Sequence, residues 1–238
     1  MTPLGTIPPP IRLERVTLRR NGRVLLQDLS GAFEPGSLTA VTGPNGAGKS
    51  TLLHALSGAF PLASGRIDRG GLAARDIALM AQEGRVDRGF PITCRDLVAL
   101  AWTARTGLFR GIGAAHARLA DQALAAVGLD GLGARPIGAL SAGQFQRVLF
   151  ARVIVRDAPV ILLDEPFSAV DAATETDLMA IVHAWHREGR TVVAVLHDAA
   201  LIRAAFPRTL LLGGEQPLWG ATETVLAERR RPALVEAA

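Results

Sequence analysis

Apolar and polar residues alternate along the first predicted strand of the chain. Residues 11–18 read Ile-Arg-Leu-Glu-Arg-Val-Thr-Leu, which is the pattern of a strand with one buried face. Asn21 and Gly22 follow, and this dipeptide is typical of a tight turn between antiparallel strands. The pattern therefore predicts antiparallel β structure near the start of the chain.

Three later segments read as short strands, at residues 37–42, 159–163 and 191–196. The first runs into a glycine-rich turn and then a helix that ends near Gly58. The other two flank a predicted helix over residues 172–187, as in buried parallel strands joined by a crossover. These segments predict an α/β fold around a mainly parallel sheet.

The segment between residues 91 and 140 is predicted to be mainly helical. Thr93 and Asp96 have the spacing of a capping box, and a helix over residues 114–127 is expected to stop at Gly128. This helical segment interrupts the α/β pattern and is predicted to form an insert.

Composition narrows the class of protein. The 238 residues are 49% hydrophobic, enough for a sizeable core, and no apolar run approaches the ~20 residues of a membrane span. The N-terminus lacks the features of a secretory signal, so the chain is expected on the cytosolic side. Its one cysteine, Cys94, excludes an internal disulfide. These features describe a soluble, intracellular chain.

The net charge of +4 does not by itself indicate a nucleic-acid partner. The calculated pI is about 10.7, because Lys49 is the single lysine and tyrosine is absent, so few groups titrate below arginine. The arginines are scattered and are not interleaved with aromatic residues. No nucleic-acid partner is expected.

A glycine-rich segment fits the phosphate-binding pattern G-x-x-x-x-G-K-[ST] between a predicted strand and a predicted helix. Backbone N–H groups of such a loop surround phosphate oxygens, and the helix N-terminus adds positive potential. Lys49 would reach the β- and γ-phosphates, and Ser50 would ligate Mg²⁺. The candidate nucleotide-binding residues are Gly43, Pro44, Asn45, Gly46, Ala47, Gly48, Lys49, Ser50 and Thr51.

Two acids end the apolar strand predicted at residues 159–163. Ligands of open α/β sheets bind beyond the carboxyl ends of the strands, where Asp164 and Glu165 are expected to lie. Asp164 would hold Mg²⁺, directly or through water, and Glu165 would polarise the water that attacks the γ-phosphate. The pair predicts nucleotide hydrolysis.

A second helix N-terminus follows the insert. Ser141 and Gln144 have capping-box spacing within Leu-Ser-Ala-Gly-Gln at residues 140–144. With this segment the sequence resembles the ATP-binding-cassette (ABC) ATPases, whose signature is LSGGQ, and Ala142 stands where the first glycine is usual. The resemblance covers nearly the whole chain.

The resemblance implies further site residues and partners. Gln82 would be the Q-loop glutamine, acting in catalysis and on Mg²⁺, His197 the switch histidine, and residues 168–171 the D-loop with Asp171. Two copies would form a head-to-tail homodimer in which the signature of one, Ser141, Ala142, Gly143 and Gln144, faces the ATP and Mg²⁺ of the other.

The same resemblance implies the domain organisation. The expected fold is a P-loop NTPase cassette, with a RecA-like core and an antiparallel β subdomain in residues 1–82 and 141–238. Residues 83–140 would be a helical subdomain that contacts an integral membrane permease, and residues 229–238 a loose basic tail. The chain would then sit peripherally on the cytoplasmic face of the membrane and serve an extracytoplasmic solute-binding protein indirectly.

One feature of the family is missing. An aromatic residue usually stacks on adenine near the end of the first strand, where this chain has Leu18, Arg19 and Arg20. An apolar contact from Leu18 or a stacked guanidinium could replace it.

The cargo is suggested by residues 84–96 and 107–110, which resemble the corresponding stretches of zinc and manganese importer ATPases. Asp87, Arg88 and Phe90 would form part of the surface that meets the permease. Zinc is expected ahead of manganese. The alternatives are import of an iron chelate, haem or cobalamin, or a regulatory cassette that transports nothing.

Overall fold

The computed structural model describes residues 7–82, 87–102, 113–168, 170–214 and 216–228. The predicted basic tail, Ala169 of the D-loop and the segment 107–110 lie outside the described residues. Within the described ranges, no helix has both the length and the apolar character needed to cross a membrane.

The elements are numbered here in chain order. The strands are β1 (Ile11–Arg20), β2 (Arg23–Phe33), β3 (Leu38–Thr42), β4 (Ser64–Asp68), β5 (Ile77–Met80), β6 (Val160–Asp164), β7 (Thr191–Val195), β8 (Arg208–Leu211) and β9 (Leu218–Ala221). The helices are α1 (Lys49–Leu56), α2 (Cys94–Ala99), α3 (Ala114–Ala126), α4 (Ala142–Arg156), α5 (Ala172–Arg187), α6 (Ala199–Ala205) and α7 (Thr222–Glu228).

A small antiparallel sheet contains the first two strands. β1 pairs with β2 on one side and β4 on the other. Asn21 and Gly22 turn the chain between β1 and β2 with φ of 50° and 79°, the left-handed values that a tight hairpin requires. The predicted opening in antiparallel structure is confirmed.

The larger sheet has the strand order β5–β6–β7–β3–β8–β9. β5, β6, β7, β3 and β8 are parallel, and β9 is antiparallel to β8. The predicted α/β class with a mainly parallel sheet is confirmed. The sequence analysis did not predict β4, β5, β8 or β9, which are four or five residues long.

The central strands are buried on both faces. In β6, Ile161 and Leu163 pack on the side of α4 and α5, whereas Val160 and Leu162 pack towards α1 and the antiparallel sheet. Side chains of a strand alternate between its faces, so one apolar strand supplies both cores. The result is a parallel sheet held between a helical layer and a layer formed by α1 and the antiparallel sheet.

The described part of the insert is mainly helical, as predicted. α2 begins at Cys94, where Thr93 Oγ1 accepts a hydrogen bond from Asp96 N at 3.2 Å. α3 ends at Ala126, and Gly128 adopts φ of 73° just beyond it, as expected. Turns occupy most of residues 127–136. The predicted boundaries at residues 82/83 and 140/141 stay predictions.

Gly43 connects β3 to the phosphate loop and cannot easily be replaced. Its φ is 146°, and a Cβ built there would lie 2.3 Å from the carbonyl oxygen of Leu212. Leu212 N donates to Thr42 O at 2.8 Å, so this carbonyl belongs to backbone that is tied to β3. The close approach therefore requires glycine.

We expect Gly43→Ala to lower the free energy of unfolding by about 2–4 kcal/mol, because the methyl group meets backbone. Gly22→Ala is the matched control: Gly22 has φ of 79° but nothing within 4 Å of its Cβ position. It should cost only about 1 kcal/mol of left-handed strain. Urea unfolding of both variants measures the difference, and equal losses would contradict the close-contact argument.

Candidate nucleotide site

The phosphate loop lies between the carboxyl end of β3 and the start of α1. Gly46 and Gly48 adopt φ of 83° and 86°, which lets the backbone curl before Lys49 begins the helix. Lys49 Nζ donates to the carbonyl oxygens of Gly43 and Pro44 at 2.9 Å each, and the residue is 6% exposed. The loop thus holds a buried ammonium group beside backbone N–H groups, a suitable site for polyphosphate.

Ser50 and Asp164 meet across 114 positions of sequence. Ser50 Oγ donates to Asp164 Oδ1 at 2.9 Å, and Asp164 is 1% exposed at the end of β6. A hydroxyl and a carboxylate are oxygen ligands of the kind that Mg²⁺ accepts alongside substrate phosphates. The donor set therefore fits the predicted ion.

Glu165 joins two of the predicted catalytic residues. Its Oε1 lies 3.0 Å from His197 Nε2, and its Oε2 accepts a hydrogen bond from Gln82 Nε2 at 2.9 Å. The three side chains come from the ends of β6, β7 and β5, which are neighbours in the sheet. Such an arrangement can orient a water molecule and receive its proton. Gln82 as an additional Mg²⁺ ligand stays a prediction.

The backbone of Glu165 is strained and braced. Its φ of 52° is left-handed, which is unusual for a glutamate. Ser168 Oγ donates to the Glu165 carbonyl oxygen at 3.0 Å, and Gln146 Nε2 donates to the Pro166 carbonyl oxygen at 2.7 Å. Gln146 is 1% exposed on α4. The sequence analysis missed it; the signal was a glutamine on an otherwise apolar helix face.

A cleft of about 670 Å³ opens over these groups. Its described lining contains phosphate-loop residues, Gln82, Glu165 and His197, together with Arg20 and Leu25 from the antiparallel sheet. Predicted site residues at the ends of β5, β6 and β7 and in the phosphate loop are therefore brought together. Arg20 and Leu25 border the cleft beside the phosphate loop. A side chain that contacts the base of a bound nucleotide must lie in such a position.

The suggested contact from Leu18 to the base is wrong. Leu18 is 0% exposed and packs in the core between the antiparallel sheet and α1. The pairing of β1 with β2 shifts register between Leu18 and Arg19, so simple alternation does not hold to the end of the strand. Arg20 remains as the stacking candidate, with Leu25 as an apolar neighbour.

The signature segment does not line the described part of this cleft. Ser141 Oγ accepts a hydrogen bond from Gln144 N, and Gln144 Oε1 accepts one from Ser141 N, both at 3.1 Å. Ala142 and Gly143 form the first turn of α4. The capping box is confirmed, whereas contact of the signature with a second copy's nucleotide stays a prediction.

Asp171 has a local role at the start of α5. Its carboxylate accepts hydrogen bonds from Thr174 N at 2.8 Å and Thr174 Oγ1 at 3.1 Å. These hydrogen bonds, the backbone one first, lower the pKa of Asp171. The carboxylate therefore fixes the helix N-terminus next to the D-loop, and its predicted contact across a dimer is not tested by this arrangement.

The surface predicted to meet the permease is only partly presented outward. Phe90 is 62% exposed, and Asp87 is exposed with Oδ1 accepting from Gly89 N. Arg88 instead reaches inward: its Nη2 donates to the Leu140 carbonyl oxygen, and its guanidinium carbon lies 5.1 Å from the centre of the Phe145 ring. Arg88 ties the loop to the start of α4, because a hydrogen bond and a cation–π contact both hold it there.

The family described as ABC transporter matches residues 26–168. The manganese transport system ATP-binding protein MntB of Bacillus subtilis is 38% identical over 91% of this chain and 88% of its own length. The zinc transport system ATP-binding protein TroB of Treponema pallidum is 35% identical over 92% and 84%. The hemin import ATP-binding protein HmuV of Rhizobium meliloti is 36% identical over 94% and 90%.

Solved structures resemble the fold closely. A metal-chelate type ABC transporter in an inward-facing conformation has a TM-score of 0.79 at 28% identity, covering 91% of this chain and 84% of that one. A nucleotide-free ATP-binding cassette has a TM-score of 0.80 at 19% identity, covering 95% and 97%. The second likeness concerns the fold alone, and it extends over almost the entire chain.

We expect Arg20→Ala to weaken ATP binding about 3-fold, because a guanidinium stacked on the base contributes about 0.5–1 kcal/mol. Arg20→Trp should restore the loss, because the indole offers a larger face. Arg23→Ala, an exposed arginine in the same hairpin that is absent from the cleft lining, is the control. Calorimetry with ATP measures each affinity.

Inorganic tripolyphosphate separates stacking from simple charge attraction. Its affinity should be the same for wild type and Arg20→Ala, because it has no base. An equal loss for ATP and tripolyphosphate would show that Arg20 acts on the phosphates.

Proposed function

This chain belongs to the ABC transporter family and is an ATPase of that family, and on this premise we propose that it drives import of a divalent metal, manganese or zinc. The hydrolytic part rests on one observation, the Glu165 carboxylate held between Gln82 and His197 at 2.9 and 3.0 Å beside the phosphate loop. The metal rests on the similarity to MntB and TroB over nine-tenths of the chain.

Ser50 and Asp164 hold Mg²⁺ in the working enzyme, and Lys49 binds the β- and γ-phosphates. The buried position of Asp164 keeps its carboxylate directed at the loop rather than at solvent. When bound, the ion neutralises negative charge on the phosphate oxygens. Lys49 adds a positive point charge. Its Nζ gives up the hydrogen bonds to the carbonyl oxygens of Gly43 and Pro44 and donates to phosphate oxygens instead.

Glu165 accepts the proton of the attacking water, and His197 and Gln82 orient its carboxylate. A single carboxylate with two polar neighbours has few rotamers available, so the proton acceptor is positioned before the nucleotide arrives. Gln146 and Ser168 hold the backbone that aims this side chain.

The active site is completed by a second copy of the chain. The signature residues stand at the exposed N-terminus of α4, away from the described lining of their own cleft. A helix N-terminus favours an anion, so the γ-phosphate bound by a partner copy is a suitable ligand. Closure of the dimer on ATP would then be coupled to permease subunits at the cytoplasmic face of the membrane, with a solute-binding protein delivering cargo outside.

Haem import is the second candidate. HmuV is as similar to this chain as TroB, at 36% against 35% identity. The ATPase subunit does not contact the cargo in this scheme, so the uptake experiment below has a haem arm.

We expect Glu165→Gln to reduce kcat for ATP hydrolysis at least ~100-fold, since the amide cannot accept the proton. ATP binding should persist, and the variant should accumulate as an ATP-bound dimer in gel filtration. Glu14→Gln, a matched change at an exposed position of β1, should behave as wild type. Retained turnover in Glu165→Gln would remove Glu165 from the proposed role.

We expect cells that carry Glu165→Gln to lose uptake of manganese or zinc. Metal-starved cells are resupplied briefly, and their metal content is measured by mass spectrometry against wild type and Glu14→Gln. A selective deficit of one metal identifies the cargo. Normal manganese and zinc with impaired growth on haem as the iron source would instead favour haem import.

A further inference from the structure

One arginine ties the antiparallel sheet to α1, the helix that follows the phosphate loop. Arg69 comes directly after β4 and is half-buried. Its Nε donates to the Leu56 carbonyl oxygen at 2.7 Å, and its Nη2 donates to the Ala55 carbonyl oxygen at 2.6 Å. These are the last two residues of α1, so a single guanidinium binds the carboxyl end of the helix that begins at Lys49.

The carboxyl end of α1 needs such donors, because the last carbonyl groups of a helix have no N–H partner within it. Gly58 N donates to the Ala55 carbonyl oxygen at 3.1 Å. Arg69 adds a second hydrogen bond to Ala55 and one to Leu56. Ala55 and Leu56 are both 0% exposed, so water competes little for these bonds and they are correspondingly strong.

The backbone on both sides of Arg69 is held in a turn. Gly70 N donates to Asp68 Oδ1 at 2.9 Å, and Leu72 N donates to the Arg69 carbonyl oxygen at 3.1 Å. Burial lowers the pKa of Arg69, but a guanidinium stays protonated in proteins. A cation at the carboxyl end of a helix also interacts favourably with the helix dipole. The tie therefore combines a charge with two directed hydrogen bonds.

A second contact joins the same two parts at the amino end of α1. A Cβ built on Gly48 would lie 3.3 Å from Leu25 Cβ, so the phosphate loop and β2 approach closely there. Apolar side chains fill the space between α1 and the antiparallel sheet, but apolar packing has no preferred direction. The eight residues of α1 separate its two ends by about 12 Å. Arg69 thus fixes the far end of α1, and the two ends together set its orientation on the sheet.

The two parts that Arg69 joins form different sections of the nucleotide cleft. The phosphate loop and the start of α1 supply the phosphate site, whereas Arg20 and Leu25 belong to the antiparallel sheet and border the cleft beside the loop. ATP needs both sections at the correct spacing, because its base and its phosphates belong to one molecule. Inorganic tripolyphosphate needs the loop alone.

We propose that Arg69 is a positioning residue for ATP, which holds the antiparallel sheet at the angle to α1 that lets Arg20 contact the base of a nucleotide bound by the phosphate loop. The inference rests on the proposed function, because it takes ATP as the ligand of the cleft. It adds a residue that does not belong to the described lining of that cleft. Arg69 acts through the scaffold and touches no substrate.

The test compares ATP with inorganic tripolyphosphate on the full chain by calorimetry. Arg69→Ala should weaken ATP binding about 3-fold, the loss expected when a guanidinium no longer stacks on the base. Its affinity for tripolyphosphate should equal that of wild type. The KM for ATP should rise by the same factor with kcat unchanged, because Gln82, Glu165 and His197 follow strands of the larger sheet.

Arg66→Ala is the matched control, because Arg66 is an exposed arginine within β4 itself. It should keep both affinities. Arg69→Lys keeps the charge but not the planar pair of donors, so its ATP affinity should fall between those of wild type and Arg69→Ala. The double variant Arg20→Ala/Arg69→Ala should bind ATP as Arg20→Ala does, because the base contact is already absent.

Urea unfolding establishes that each variant is folded, and Arg69→Lys takes the place of Arg69→Ala if the latter does not fold. Equal losses for ATP and tripolyphosphate would overturn the proposal, because Arg69 would then act on the phosphate loop alone. So would unchanged ATP affinity in folded Arg69→Ala, or an additional loss in the double variant. Full wild-type affinity in Arg69→Lys would assign the effect to charge and reject the role of the two directed bonds.

Failure of the proposed function has a different signature in the same experiment. A wild-type chain that binds no ATP would reject the nucleotide site and, with it, this role of Arg69. A wild-type chain that binds ATP, together with a folded Arg69→Ala that binds it equally well, would reject the role of Arg69 alone.

Discussion

The site depends on the parallel pairing of β6, β7 and β3, because this pairing sets the strand ends side by side. Asp164 is level with Val195 of β7, which in turn is level with Val41 of β3. The loops that leave these three strands therefore begin at one edge of the sheet. The Ser50–Asp164 hydrogen bond, the Glu165–His197 contact and the phosphate loop all follow from that shared edge.

Glu165 shows how the scaffold holds a reactive side chain. Its left-handed backbone costs about 1 kcal/mol, which the surrounding turn must offset. Hydrogen bonds from Ser168 and Gln146 to the turn carbonyls stabilise it, and the packing of α4 places Gln146 there. The strained turn directs the Glu165 carboxylate between Gln82 and His197. The same backbone conformation therefore costs folding free energy and positions the reactive side chain.

The nucleotide cleft and a groove of about 280 Å³ beside α4 share one short segment. β5 supplies Met80 and the following Ala81 to a groove beside α4, and Gln82 immediately after them lines the nucleotide cleft. Because Gln82 directly follows Ala81, a displacement of Ala81 would move the amide that donates to Glu165. Likewise, Arg88 ties the loop after Gln82 to the start of α4, where the signature begins. The groove, the catalytic glutamine and the signature segment of this chain are thus structurally connected.

Local interactions let the sequence alone determine several parts of this protein. The hairpin at Asn21 and Gly22, the phosphate loop and the Ser141–Gln144 capping box each depend on residues within a few positions, so their side-chain types specify their geometry. The parallel strands β6 and β7 were also predictable, because two apolar runs joined by a crossover helix have few other folded forms.

Only the tertiary structure decided the features that depend on distant partners. Leu18 is buried whereas Arg20 lines the nucleotide cleft, because the pairing of β1 with β2 shifts register between them. Arg88 turns inward because Phe145 and Leu140 lie beside it. The packing of α4 against the sheet places Gln146 where it donates to the turn that follows Glu165. The same packing places Arg152 in the lining of an open groove. These outcomes come from long-range packing, whose energy no local sequence pattern contains.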